Sequence, residues 1–334
     1  MSTEKKADMN KKENKMALEV KNIVKKYGEK TVVNNISFKM DKPGVYALLG
    51  TNGAGKTTTI RIILGMLSHE SGEVLWNGSA LDPMVTNVGY LAEERGLYPK
   101  YTLMDQLLYF AKLKGVSKKD ALIRIENWAK KLKVEEYIYP ERSEEAKMLK
   151  KGKKPKKKTA DQLSKGNQQK IQLMAALISD PDIIVLDEPL SGLDPVNADL
   201  FKEIIKEEIA KDKYIIMSSH QMETIEEFCT DITIMNRGDA VLQGNLNEIK
   251  KSYGRVNMFL KCEQDIEKYI NQMNFEKVEK NAEGYNIKVS DEKNAKEFLK
   301  VLTDNDIDVI RYELREPSLH EIFVEKVGNV HEEE

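Results

Sequence analysis

Apolar residues along this chain follow several distinct rhythms, and each rhythm predicts a different element. Ala17–Val24 alternates apolar and polar side chains, the period of a strand with one covered face. Past the turn at Tyr27-Gly28, Lys30–Lys39 reads as a pair of strands. Gly44–Leu49 and Ile183–Leu186 are continuous apolar runs, as expected of strands buried on both faces. Ser71–Gly78 reads as a turn and strand closed by the Asn77-Gly78 turn signal. From Thr102 the period changes: Met104, Leu107, Leu108 and Ala111 fall at i, i+3, i+4 and i+7, one buried stripe of a helix. Further helices are predicted over Thr58–Leu64, within Gly115–Val134, and over Gln168–Ser179, Ala198–Lys211 and Met222–Cys229, with a strand at Lys213–Ser218. Strands alternating with helices argue for a mainly parallel sheet with covered faces, the α/β class.

Beyond Gln243-Gly244 the pattern changes again. Strand Arg255–Cys262, helix Glu263–Met273, a hairpin over Val278–Ser290 turning at Ala282–Gly284, helix Asn294–Thr303 and strand Asp308–Leu314 follow one another. That β-α-β-β-α-β order is the ferredoxin-like arrangement. A last helix, Ser318–Val327, starts after Pro317. The expected organisation is a polar tail at 1–16, an α/β domain at 17–244 with a helical subdomain at about 95–180, and a small α+β accessory domain at 255–327. The length of 334 residues has room for both domains.

The formal net charge of −2 makes no global demand for nucleic acid or an anionic surface. No apolar stretch approaches the roughly 18 residues a membrane span requires. The N-terminal segment has basic residues without an apolar core, so it reads as a solvated tail rather than a secretory signal. Cys229 and Cys262 lack CxxC spacing, which suits a reducing compartment and a packing role. Lys147–Lys158 is mostly lysine broken by Gly and Pro. It reads as a solvated loop. The sharper alternative is a contact with anionic lipid headgroups or an acidic partner. Nucleic acid is not expected, because no aromatic residues are interleaved for base stacking.

Three segments carry chemistry. Gly50–Thr58 reads GTNGAGKTT, a phosphate-binding loop between the apolar strand and a helix. Asn52, Gly53, Ala54 and Gly55 supply the tight turn whose backbone N–H groups cradle phosphate oxygens. Lys56 adds a point charge for the β- and γ-phosphates, Thr57 a hydroxyl ligand for Mg²⁺, and Thr58 opens the helix whose N-terminus faces the anion. Asp187 and Glu188 follow the second apolar run, at the strand end where open α/β sheets bind ligands. Asp187 suits a Mg²⁺ shell and Glu188 suits a general base for an attacking water. Ser164 and Gly166 precede a helix, either as a second anion site or as a plain helix cap.

Gly50–Thr58, Leu163–Gln169, Ile183–Glu188, Ser191–Pro195 and Ser218–His220 stand in the order and spacing that resembles the ATPase subunits of ABC transporters, over residues 17 to about 244. The resemblance implies an ATP-binding and ATP-hydrolysing motor that uses ATP and Mg²⁺. It would work as a homodimer or with a paralogous ATPase, bound to transmembrane permease subunits on a separate chain at the cytoplasmic face of a bacterial membrane. It implies that Tyr27 stacks on adenine, that Glu93 occupies the lid position where most of the family has Gln, and that Glu93 joins Thr57 and Asp187 around the metal. Ser164 and Gly166 would then reach the γ-phosphate held by the opposite subunit, Asp194 would link the two sites, and His220 would contact the γ-phosphate. The chain departs from the family pattern at Lys165 and Asn167 in the signature segment. LSKGNQQ, EERGLYP and the final EPSLHEIF resemble the bacterial subgroup of sodium-efflux and antibiotic-export ATPases, which implies export and leaves open whether the cargo is a cation, an antibiotic, a peptide or a lipid. The competing expectation is a soluble ABC ATPase acting on ribosomes or DNA. One phosphate loop and the absence of a long coiled coil speak against it.

Overall fold

The computed structural model describes residues 17–94, 96–142 and 155–328. The polar tail at 1–16 and most of the lysine-rich segment lie outside the described residues.

Fourteen strands and eleven α-helices are assigned among the described residues, with two short 3-10 turns. In chain order the first are β1 (Leu18–Tyr27), β2 (Lys30–Met40), β3 (Gly44–Gly50), α1 (Lys56–Ile63), β4 (Ser71–Trp76), β5 (Ser79–Ala80) and β6 (Val88–Leu91). A helical section follows with α2 (Leu103–Leu113), α3 (Lys118–Lys131), α4 (Glu135–Ile138) and α5 (Lys165–Leu177). Then come β7 (Ile183–Asp187), α6 (Pro195–Ile209), β8 (Tyr214–Ser219), α7 (Met222–Phe228), β9 (Asp231–Asn236), β10 (Asp239–Asn245) and α8 (Leu246–Tyr253). The last are β11 (Asn257–Cys262), α9 (Glu267–Ile270), β12 (Lys277–Asn281), β13 (Gly284–Lys288), α10 (Glu292–Asp304), β14 (Val309–Arg315) and α11 (Leu319–Gly328). The described residues divide into two compact units, one within 17–220 with 235–240, the other of 221–234 with 241–328.

In the first unit, β3, β8, β7 and β6 lie side by side in that order and run parallel. Every residue of β3, β7 and β8 is buried, as their continuous apolar sequences require. The smaller sheet β2-β1-β4-β5 is antiparallel, and its strand β1 alternates buried with partly exposed side chains over much of its length. Four helix starts in this unit share one chemical rule. Thr102, Ser117, Ser164 and Asp194 each accept a hydrogen bond from the backbone N–H three residues on, satisfying a donor that the helix cannot. No helix among the described residues is long and apolar enough to cross a membrane.

Several elements differ from their sequence expectation, among them α6, which starts at Pro195 rather than Ala198 because Asp194 supplies its cap. Lys30–Lys39 is one strand, not two. Asn34-Asn35 resembles a turn, but the ladder absorbs it as a one-residue bulge with Asn35 at φ 53°. Helix α5 starts at Lys165 rather than Gln168, because Ser164 supplies its cap. The helix expected over Glu263–Met273 shrinks to the single turn α9. Gln264 pairs with Asp308 in both directions, its Nε2 donating to Oδ2 at 3.1 Å and its Oε1 accepting the Asp308 N–H at 2.9 Å, which ties this segment to the start of the last strand and away from a helix.

In the second unit the order β12-β13-β11-β14 and the β-α-β-β-α-β succession give the ferredoxin-like sheet. Met258, Leu260, Tyr285, Ile287, Phe298 and Leu302 form its core. The closing motif EPSLHEIF has a local explanation. Glu321 accepts the Ser318 N–H at 2.7 Å, and Ser318 Oγ accepts the Glu321 N–H at 3.2 Å, a capping box for α11. Arg315 holds the same carboxylate with two bonds of 2.8 and 3.0 Å. Burial alone would raise the Glu321 pKa, but Arg315 and Ser318 outweigh it and hold the group down at about 2.

A folded pKa below the unfolded value stabilises the protein above the unfolded pKa and is lost as pH falls through the folded one. Glu321→Gln should therefore destabilise the protein at pH 7 by on the order of 1–2 kcal/mol after discounting for solvent screening. The gap to wild type should shrink between about pH 4.5 and pH 2. Urea unfolding of both proteins across that range measures it, and a pH-independent gap would contradict the clamp.

Candidate active site

The parallel register decides what meets at the sheet's carboxyl edge. Leu49 lies opposite Ser219 across β3 and β8, and Asp187 opposite Ser218 across β7 and β8. The loop after β3, the acidic pair at the end of β7 and the Ser-Ser-His end of β8 therefore emerge side by side, at the edge where such sheets bind ligands.

Lys56 begins α1 and is buried, its ammonium donating to the Gly50 carbonyl at 2.8 Å and the Thr51 carbonyl at 3.3 Å. Gly55 precedes it at φ 106°, and a Cβ there would lie 2.6 Å from the Val32 carbonyl oxygen. Both the left-handed backbone and the close approach exclude a side chain. Asn52, Gly53, Ala54, Gly55, Lys56, Thr57 and Thr58 line a cavity of about 380 Å³ together with Val32, Glu93 and Glu188. The walls are a helix N-terminus, a cation and backbone amides, the elements of an anion site.

Asp187 and Glu188 are buried, at 1% and 5% exposure. Thr57 Oγ1 donates to Asp187 Oδ1 at 3.2 Å, and Ser218 Oγ donates to the same oxygen. Ser218 Oγ also accepts the Glu188 N–H at 3.0 Å, so one hydroxyl fixes both acidic residues. Asp187 Oδ2 is buried without a hydrogen-bond partner. Burial pushes the Asp187 carboxyl above its usual range, against the hydrogen bonds from Ser218 and Thr57. The oxygens of Thr57 and Asp187 suit a hard divalent cation such as Mg²⁺; Thr57 and Glu93 line the phosphate-loop cavity, and Asp187 lies buried behind Thr57 without lining it. Glu188 stands in the left-handed region at φ 50°, a costly conformation for a non-glycine residue and one that recurs at active sites. Its Oε1 lies 3.5 Å from Lys56 Nζ and its Oε2 2.8 Å from His220 Nδ1. The His220 side chain is 48% exposed.

Other expected site residues lie elsewhere. Tyr27 ends β1, is 54% exposed, and has the Lys25 ammonium 5.3 Å from its ring centroid. Ser164 caps α5 by accepting the Asn167 N–H at 3.3 Å, and Gly166 is the second residue of that helix. Neither they nor Tyr27 line the phosphate-loop cavity of their own chain. Asp194 caps α6, accepting the Asn197 N–H at 3.0 Å. Two contributors had no assigned role in the sequence reading. Val32 closes the cavity beside the loop, and nothing in its strand marks it out. Ser218 had a weak signal, as a polar residue ending the apolar run Tyr214–Met217.

The chain matches the ABC transporter family model over residues 33–191 and the DrrA1-3-like ATP-binding protein C-terminal domain over residues 244–327. It is 37% identical over 316 residues to the uncharacterized ABC transporter ATP-binding protein YhaQ of Bacillus subtilis (strain 168), covering 94% of this chain and 100% of that protein. It is 31% identical over 231 residues to the Nod factor export ATP-binding protein I of Burkholderia orbicola (strain AU 1054), covering 68% of this chain and 70% of that one. Among solved structures it resembles an ATP-binding subunit of an ABC transporter, with a TM-score of 0.61 and 28% identity over 71% of this chain and 92% of the other.

Ser218→Ala should cost about 2 kcal/mol of stability, since it removes the donor to a buried carboxylate and the acceptor of a buried N–H. Guanidinium unfolding checks the value. A loss below about 0.5 kcal/mol would mean that the hydroxyl does not hold the pair.

Proposed function

Because this chain belongs to the family of ABC transporter ATP-binding proteins, we infer that it is the ATP-hydrolysing subunit of an exporter whose membrane-spanning part is a separate chain. The observation that carries the catalytic part is the placement of Glu188: buried, at the rim of the phosphate-loop cavity, between Lys56 at 3.5 Å and His220 at 2.8 Å.

Bound triphosphate lies along Asn52–Thr58, with the loop amides and Lys56 on its β- and γ-oxygens. Thr57, Asp187 and Glu93 would hold Mg²⁺, which when bound would neutralise charge on the phosphates. Glu188 accepts a proton from the attacking water, and His220 orients its carboxylate and stands ready for the γ-phosphate. Phosphoryl transfer leaves little covalent chemistry for the protein, so positioning and fixed charge supply most of the rate. Tyr27, half-exposed at the end of its strand, stacks on the base. Ser164 and Gly166 lie outside the cavity of their own chain. They serve the nucleotide of a second ATPase subunit, identical or paralogous, and the working unit is a head-to-tail pair at the membrane's cytoplasmic face. Export is supported by the similarity to a Nod factor export ATP-binding protein.

Lys56→Ala should abolish ATP turnover by weakening nucleotide binding; normal turnover would overturn the phosphate-site assignment. Glu188→Gln should retain ATP, lower kcat by about 10²-fold or more, and accumulate as an ATP-bound dimer in size-exclusion chromatography. Hydrolysis at the wild-type rate would remove Glu188 from the role of base.

A further inference from the structure

Helix α5 reaches both acidic loops of the site through two glutamine side chains. Gln169 Nε2 donates to the Pro189 carbonyl at 2.7 Å, one residue beyond Glu188. Gln172 Nε2 donates to the Glu94 carbonyl at 3.0 Å, one residue beyond Glu93. The two glutamines are three residues apart and share one face of the helix. Beside that face is a cavity of about 270 Å³ onto which Glu93, Glu94, Glu188 and Lys165 converge. A Cβ added at Gly96 would lie 3.3 Å from Gln172 Nε2, so the absent side chain leaves the lid backbone close to the amide. The two bonds differ in environment: the one to Pro189 is partly buried and the one to Glu94 is exposed. Water competes for the second and not equally for the first, so the lid bond is the one that opens more readily.

Neither glutamine lines the phosphate-loop cavity. Any effect they have on turnover must pass through the loops they hold. We propose that Gln169 and Gln172 are positioning residues: one anchors the Glu188 loop to the signature helix, and the other is a releasable tether between that helix and the lid loop carrying Glu93. Movement of the lid is passed to α5, and through its N-terminus to Ser164 and Gly166, only while Gln172 holds. The proposal rests on the assignment of Glu188 as base and Glu93 as lid residue, and its test separates the two.

Leucine approximates glutamine in size and lacks the amide donor. In the full chain, Gln172→Leu should lower kcat for ATP by about tenfold with KM changed less than about twofold, the mark of lost positioning rather than lost binding. Gln172→Lys, which restores a donor, should recover most of the rate. Gln169→Leu should show the same split with a larger drop. The exposed position of the Gln172 bond lets that variant keep its fold, which a thermal melt within about 2 °C of wild type would register. Wild-type kcat in Gln172→Leu, failure of Gln172→Lys to recover it, or a rise in KM as large as the fall in kcat would each overturn the tether. Glu188→Gln run in parallel distinguishes the failures. If it turns over at the wild-type rate, the base assignment fails; if it is inactive while Gln172→Leu matches wild type, the tether alone fails.

Discussion

The site depends on the register of three parallel strands at their carboxyl ends. β3, β8 and β7 are buried throughout, so each is fixed by packing on both faces as well as by its ladder. Their pairing sets Leu49 against Ser219 and Ser218 against Asp187. A slip of one residue would turn every side chain of a strand to the opposite face. Ser218 would then no longer meet Asp187, and the phosphate loop would leave a strand end displaced from the acidic pair. The chemistry thus follows from hydrophobic packing several residues away.

That packing also creates an electrostatic problem, which the two carboxylates resolve differently. Glu188 has a lysine and a histidine within 3.5 Å, so its charge is compensated inside the protein. Asp187 has two hydroxyl donors on one oxygen and no partner on the other. Hydroxyl dipoles do not balance a buried anion, and its raised pKa is the consequence. A divalent cation held between Thr57, Asp187 and phosphate oxygens would reverse that shift, which ties the affinity for metal to the affinity for nucleotide.

Local pattern made much of this legible. Continuous apolar runs marked the buried strands, the glycine-rich loop marked the anion site, and the β-α-β-β-α-β order of the second unit was readable from periodicity. Discrepancies arose where a side chain bonds the backbone across a long stretch of sequence. Gln264 reaches Asp308 and so delays α9, and Ser218 reaches Asp187 and Glu188 from another strand. Gln172 reaches Glu94 across 78 residues. Such bonds leave no periodic trace, because any polar residue at those positions fits the same pattern of exposure. Lys30–Lys39 differs for another reason: it is one continuous strand, in which the ladder on both sides absorbs Asn34-Asn35 as a bulge.

Ser164 shows why two readings of one residue need not compete. As a cap, its oxygen accepts the Asn167 N–H through one lone pair. A hydroxyl has a second lone pair and one O–H, and the cap commits neither. The cap also fixes the rotamer, so the hydroxyl is already oriented before any anion arrives. It stands at the positive end of a helix of 13 residues, where an incoming phosphate gains from both the dipole and the donor. Lys165, next along the helix, adds a full positive charge. In the proposed pair, capping would thus pre-orient Ser164 as a donor, on a surface that the phosphate-loop cavity of its own chain does not include.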